Sequence, residues 1–243
     1  SALYELEKPE PDLTDGLVAY YPFNGNADDE SGNGNTGKAI NSQLTADAQG
    51  NQNQAYRFDG TSSYIEIPDL IDREMESFTV SCVIQPSPDR EGENYILYNG
   101  SNAEFFLLID ENNLIDTSVQ LSNGEQVTIF APVPNASTIV LTVTYQRGNS
   151  LKLWANGTLI GSATGANLPL RRTGYGSSIG AYNRDRSQFD GVIDEMRIYN
   201  RALSTEEVAA LYSMEKPEEF PTITRTHTVT QPAIDPEADT DGD

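Results

Sequence analysis

The residues best suited to chemistry are oxygen ligands placed where a strand should carry apolar side chains. The segment Val192-Ile-Asp-Glu-Met-Arg-Ile-Tyr199 alternates. Its period of two puts Val192, Asp194, Met196 and Ile198 on one face. Asp194 is then a lone carboxylate on an apolar face, with no basic residue sharing that face locally. Burying such a group is costly unless it is paired or bound to a metal. Asp194 is therefore either a ligand for a hard cation or a rim carboxylate that caps a loop by hydrogen bonds.

The N-terminal loop offers partners. Asn24, Asn26, Asp28, Asp29, Glu30, Asn33 and Asn35 are dense in oxygen, and Gly25, Gly32, Gly34 and Gly37 give the backbone freedom to turn. Ca2+ takes ~6–8 oxygens, main-chain carbonyls included, from irregular loops of this kind. The spacing is not that of an EF-hand, and an Asn-Gly-rich polar turn has the same composition. The loop gains weight beside Asp194, because the first and last strands of a closed sandwich commonly lie side by side.

A second group of residues could hold a sugar, which is recognised by aromatic rings and planar polar side chains. In Leu151-Lys-Leu-Trp-Ala155, Trp154 points away from Leu151, Leu153 and Ala155. It is either an exposed stacking platform or a ring covered by another layer. Tyr175, Tyr182 and Arg184 lie on Gly-rich polar loops and are candidate ligand contacts. Catalytic chemistry has less support. No Ser-His-Asp arrangement fits, since His227, the one histidine, lies near the C-terminus. No Glu-x-Asp-x-x-Glu string occurs, the acid cluster Asp72-Arg-Glu-Met-Glu76 precedes a strand, and Glu66 and Glu104 are left as an accidental carboxyl pair.

These residues need a scaffold of short strands. Ser77–Gln85 and Thr138–Tyr145 alternate with period two. Asn156-Gly157 between two apolar runs is a strong hairpin signal. Further strands are predicted at 55–59, 64–67, 95–98, 104–109, 118–121, 125–130 and 177–181. Such strands, punctuated by turns, imply two antiparallel sheets packed as a sandwich over residues 16–213. Ser204-Thr-Glu-Glu207 is a capping box that opens one short helix, with Val208, Ala209, Leu211 and Tyr212 as its apolar stripe.

Composition limits the function classes. The 243 residues carry a formal charge of −22, which argues against nucleic acid and anionic membrane surfaces and suits a setting rich in divalent cations. Cys82 is the single cysteine, so no disulfide joins two points of the chain. No run approaches the ~20 apolar residues of a membrane span. Residues 1–15 read as a Pro- and Glu-containing linker. Residues 214–243 read as an acidic, Thr/Pro-rich linker or edge strand. The end, Asp239-Thr-Asp-Gly-Asp243, resembles the start of a truncated calcium-binding aspartate repeat.

Both ends of the domain resemble the laminin-G-like, concanavalin A-like jelly-roll family of bacterial secreted and surface proteins. The likeness is carried by Leu17-Val-Ala-Tyr-Tyr-Pro-Phe-Asn-Gly-Asn26, Ser31-Gly-Asn-Gly-Asn35, Phe58-Asp-Gly60 and Phe189–Ser204. It implies an all-β, two-sheet jelly roll with one C-terminal helix. It also implies a structural Ca2+ ligated by Asn24, Asp29, the Gly60 carbonyl and Asp194. Asn24 stands where relatives often have Asp, which keeps the oxygen and removes a charge. The function implied is a monomeric, non-catalytic, extracellular recognition module joined to neighbouring modules. A glycan is the first candidate partner, and an adhesion or spacer role with a surface protein is the alternative.

Overall fold

The computed structural model describes residues 11–71, 74–100, 105–165, 167–171, 176–184 and 186–216. Tyr175, Glu104, Asp72, His227 and the aspartate-rich C-terminus fall outside these residues.

Among the described residues fifteen strands and one helix form a two-sheet sandwich. The strands are β1 (Leu17–Tyr21), β2 (Lys38–Ile40), β3 (Gln43–Thr45), β4 (Ala55–Asp59), β5 (Tyr64–Ile67) and β6 (Ser77–Pro86), then β7 (Asn94–Asn99), β8 (Phe105–Ile109), β9 (Leu114–Gln120) and β10 (Gln126–Pro132). They continue with β11 (Ile139–Gln146), β12 (Ser150–Ala155), β13 (Thr158–Ala163), β14 (Ser177–Ile179) and β15 (Asp190–Tyr199), followed by helix α1 (Thr205–Glu215). The first sheet runs β13-β12-β11-β6-β15-β4-β3, with β1 also on β15. The second runs β10-β9-β8-β7-β14-β5-β2. All strand pairs within the sheets are antiparallel.

Alternation in the central strands builds the core between the sheets. Ile139, Leu141, Val143 and Tyr145 of β11 face inward with Phe78, Val80, Cys82 and Ile84 of β6. The rings of Phe105 and Tyr145 approach Phe78 with centroids 5.0 and 5.3 Å away. Cys82 is buried there as a small apolar side chain, and burial pushes its thiol up to about 12.

The β12–β13 hairpin turns through Asn156 (φ 50) and Gly157 (φ 72), as its Asn-Gly sequence predicts. Helix α1 starts at the predicted capping box. The Glu207 backbone N–H donates to Ser204 Oγ at 3.2 Å, and the Ser204 N–H donates to Glu207 Oε2 at 2.7 Å. Val208 and Leu211 pack with Trp154, Tyr199 and Leu203 against the outer face of the first sheet.

Both edges of the folded unit extend past the predicted limits. At the start, Leu13 packs against the cluster beneath α1, and Arg201 donates to the Asp15 carbonyl at 2.8 Å. At the end, α1 continues to Glu215, whose carboxylate reaches Arg197.

Candidate functional site

Asp194 sits at a break in the sheet. One edge of β15 pairs with β6. The other is shared, with β4 along Asp190–Ile193 and β1 along Met196–Tyr199. Asp194 and Glu195 fill the gap between those two partners. Glu195 has φ 52, and the β15–β6 register shifts between Asp194 and Arg197. This bulge corrects the simple alternation. Ile193, Met196 and Ile198 all face the core, whereas Asp194 pairs across to Val83 on the outer side. Bulges recur beside functional sites because they re-aim a side chain.

The Asp194 side chain is only 7% exposed. The Glu195 N–H donates to its Oδ1 at 2.8 Å. Burial pushes its carboxyl up to about 8, and the charges of Glu195, Glu215 and Asp47 act in the same direction. A group so placed either holds a proton or has a cation beside it. Oxygens are close in chain and register. Asn24 lies three residues past Tyr21, which pairs with Met196, and the adjoining Gly25 N–H donates to the Asn53 carbonyl at 2.9 Å. Asn53 in turn lies two residues before β4. Strand register thus brings the loops that carry Asn24 and Asn53 to the corner where Asp194 lies. Among the described residues no three His, Cys, Asp or Glu side chains converge to form a cage. A cation here would rest largely on neutral oxygens.

The other two predicted ligands lie elsewhere. Asp29 is on the far side of β1 from β15. Its Oδ1 accepts from the N–H groups of Tyr20 (3.0 Å) and Ser31 (2.9 Å), and its Oδ2 accepts from that of Asn35 (2.8 Å). Burial opposes ionisation of Asp29, but these hydrogen bonds outweigh it and hold the carboxyl below its ordinary value. Asp29 is thus the organiser of the polar loop. Gly60 (φ 71) donates its N–H to the Phe189 carbonyl at 3.0 Å, beside the start of β15. Phe189 is five residues, roughly 17 Å, along the chain from Asp194. Gly60 and Asp194 therefore do not share one centre. The local role of Gly60 is to make a turn whose N–H groups, from Thr61, Ser62 and Ser63, converge on Asp59.

Trp154 is 6% exposed and lies beneath α1, so it is no stacking platform. It points away from the main core as its alternation predicts, but the helix closes over it. The aromatic surface lies on the second sheet instead. One row across its outer face reads Thr128, Ser118, Phe106, Tyr98, Ser178, Glu66, Lys38. The next reads Phe130, Asp116, Leu108, Tyr95. Tyr182 packs over these rows, with ring centroids 5.1 Å from Tyr95 and 4.7 Å from Tyr98. Phe106 and Tyr182 are half-buried, and Phe130 is 59% exposed.

Arg184 follows Tyr182 and pairs with Glu66 at 3.1 Å, on the wall of a cleft that also includes Lys38. Asp116, missed in the sequence, sits among the apolar groups. Its Oδ1 is buried without a hydrogen-bond partner. Burial pushes its carboxyl up to about 6, helped by Asp110 and Glu93. β9 begins at Leu114, four residues before the predicted 118–121, and Leu114-Ile-Asp-Thr-Ser118 does not alternate apolar with polar, so no local pattern announced Asp116.

Comparison with known proteins follows the same architecture. The binding domain of botulinum neurotoxin serotype D superposes with a TM-score of 0.67 at 20% identity, covering 83% of this chain and 52% of that one. The botulinum neurotoxin DC binding domain in complex with rat synaptotagmin II gives 0.68 at 14%, covering 84% and 53%. The same domain in complex with SialylT gives 0.68 at 13%, with the same coverage. This chain thus spans about half the length of those domains, and at such identity they share its fold. The comparison with curated proteins gives no match. Residues 59–209, running from the last residue of β4 into α1, match the laminin G family described as the concanavalin A-like lectin/glucanases superfamily. With the two antiparallel sheets described above, that match places the chain in its family: it belongs to the concanavalin A-like lectin/glucanases superfamily.

Proposed function

We propose that this domain is a non-catalytic, extracellular recognition module that binds carbohydrate on the outer face of its second sheet. The observation that carries the proposal is the aromatic shelf of Tyr182 and Phe106 on Tyr95 and Tyr98, with exposed Phe130 and partly exposed Asp116 in the adjoining row. Aromatic faces take the CH side of a sugar ring, and the partly exposed carboxyl of Asp116 can accept from its hydroxyls. The toxin domains of the same fold, solved with rat synaptotagmin II and with SialylT, support a binding role of either kind. Exposed Phe130 is the feature that favours a protein partner as the second reading. Glu66 is engaged by Arg184, which leaves it poorly placed to act as a glycosidase carboxyl.

The proposal includes a structural Ca2+ at the Asp194 corner, with Asn24 and carbonyl oxygens of the flanking loops. The ion would neutralise the buried carboxylate and staple the loop after β1 to β15. The test is a glycan array with and without Ca2+, using the wild type, Tyr182→Ala and Asp116→Asn. Glycan binding that is lost in both variants supports the shelf. Binding to no glycan, with retention of a cell-surface protein that Phe130→Ala abolishes, moves the function to the second reading.

A further inference from the structure

The outer face of the first sheet carries a cleft that the shelf does not touch. It holds about 670 Å3 at the end of the sandwich and is lined by Arg57, Gln85, Arg90, Asn113 and Asn135, with Pro86 and Val192 as apolar wall. Arg57, Val192 and Gln85 are register partners across β4, β15 and β6, so they form one row on its floor.

The two arginines differ from others in this acidic chain. Arg147, Arg184, Arg197 and Arg201 each lie 2.6–3.1 Å from a carboxylate. Arg57 reaches only to 3.8 Å from Asp190, and its side chain is 57% exposed. Arg90 donates to neutral oxygens, the Ser87 carbonyl at 2.9 Å and the side chain of Asn113, and shares with Arg57 the more distant charge of Asp190. A guanidinium has five N–H donors in a planar fork that matches a carboxylate. Both arginines thus offer free donors to the cleft, in a frame that fixes one of them.

We propose that this cleft binds the carboxylates of an acidic polysaccharide, a polymer of uronate sugars. Two observations favour a sugar over an acidic peptide. The floor strands β4, β15 and β6 are paired along both edges, so no free edge is available for strand addition. The remaining polar groups are the side-chain amides of Gln85, Asn113 and Asn135, which donate to and accept from hydroxyls. Pro86 and Val192 supply an apolar surface that suits a ring face.

The test is binding of polygalacturonate by the full chain. EDTA is present so that Ca2+ cannot bridge carboxylates. At about 0.15 M salt, a Debye length of about 8 Å screens the overall negative charge but spares a contact pair. Arg57→Gln is expected to weaken binding about tenfold. Arg57→Lys should fall between it and the wild type, and Arg57→Gln/Arg90→Gln should abolish binding. The carboxyl-reduced polymer should not bind, and Tyr182→Ala should bind normally. Arg57 is exposed, so its variants are expected to melt as the wild type does. The proposal is overturned if polygalacturonate fails to bind, if Arg57→Gln leaves binding unchanged, or if the reduced polymer binds as well. Polyglutamate binding with the same arginine dependence overturns the sugar assignment. Loss in Tyr182→Ala instead would place the polymer on the shelf, overturning this cleft and supporting the other site.

Discussion

The guanidinium of Arg197, on β15, lies 2.8 Å from the carboxylate of Glu215, on the last turn of α1. The two are close as ions but off line for a hydrogen bond at Nη1. The other end of the same guanidinium meets Glu195 at 2.7 Å, and its plane covers the Tyr20 ring at 4.1 Å. One buried cation thus joins helix, bulge and first strand.

Arg197→Ala is expected to destabilise the domain by about 3–5 kcal/mol, because it leaves Glu195 and Glu215 near each other without their partner. Urea unfolding measures this. Recovery of part of the loss in Arg197→Ala/Glu215→Gln would confirm the cause. A single variant as stable as the wild type would show that the cluster contributes nothing.

Calcium at the Asp194 corner should stabilise the folded state alone. Free Ca2+ at about 100 times its Kd would add about 2.7 kcal/mol. The melting temperature should rise with Ca2+, return with EDTA, and lose this response in Asp194→Asn. An unchanged melting curve in the wild type counts against the site.

Asp116 gives a pH dependence of definite sign. Its folded value, about 6, lies above the ordinary carboxylate value of about 3.9. The contribution is fully present below the ordinary value and is lost as pH rises through about 6. Asp116→Asn should therefore lose less stability than the wild type between those limits and melt higher at neutral pH. Parallel melting profiles for the two proteins across that window would refute it.

Trp154→Ala is expected to cost about 3–5 kcal/mol by opening a cavity under α1. Glycan binding by the folded fraction should not change. Because Trp154 is the single tryptophan, its emission reports helix docking directly. A red-shifted, solvent-like spectrum in the native protein would contradict its burial.

Ser204→Ala removes the acceptor for the Glu207 N–H and should cost about 1 kcal/mol. Thermal unfolding followed at the Trp154 signal would show it. An unchanged midpoint would mean that the cap is redundant with the Arg197–Glu215 contact.

Local signals reached far into this fold. The Asn156-Gly157 turn, the Ser204 cap and the alternation of β6 and β11 each act over a few residues, and each stands where the sequence puts it. The faces of β15 were illegible past Ile193. A single residue at φ 52 reverses the alternation, and Glu195 carries no glycine to announce it. Trp154 was aimed correctly, but what covers it comes from a helix fifty residues later. The separation of Gly60 from Asp194 depends on how β4 and β1 divide one edge of β15, which no local pattern encodes. Tyr175 lies outside the described residues. The joining of Tyr182 to Tyr95 and Tyr98 is likewise a product of topology.

Arg197 and Arg201 give the domain a mechanical character. Arg201 grips the incoming chain at Asp15 and the helix at Glu207, while Arg197 grips the helix end at Glu215. Both are rooted in β15 or just beyond it. Tension applied between residues 11 and 216 would therefore load two ionic clasps, one on β15 and one just past its end.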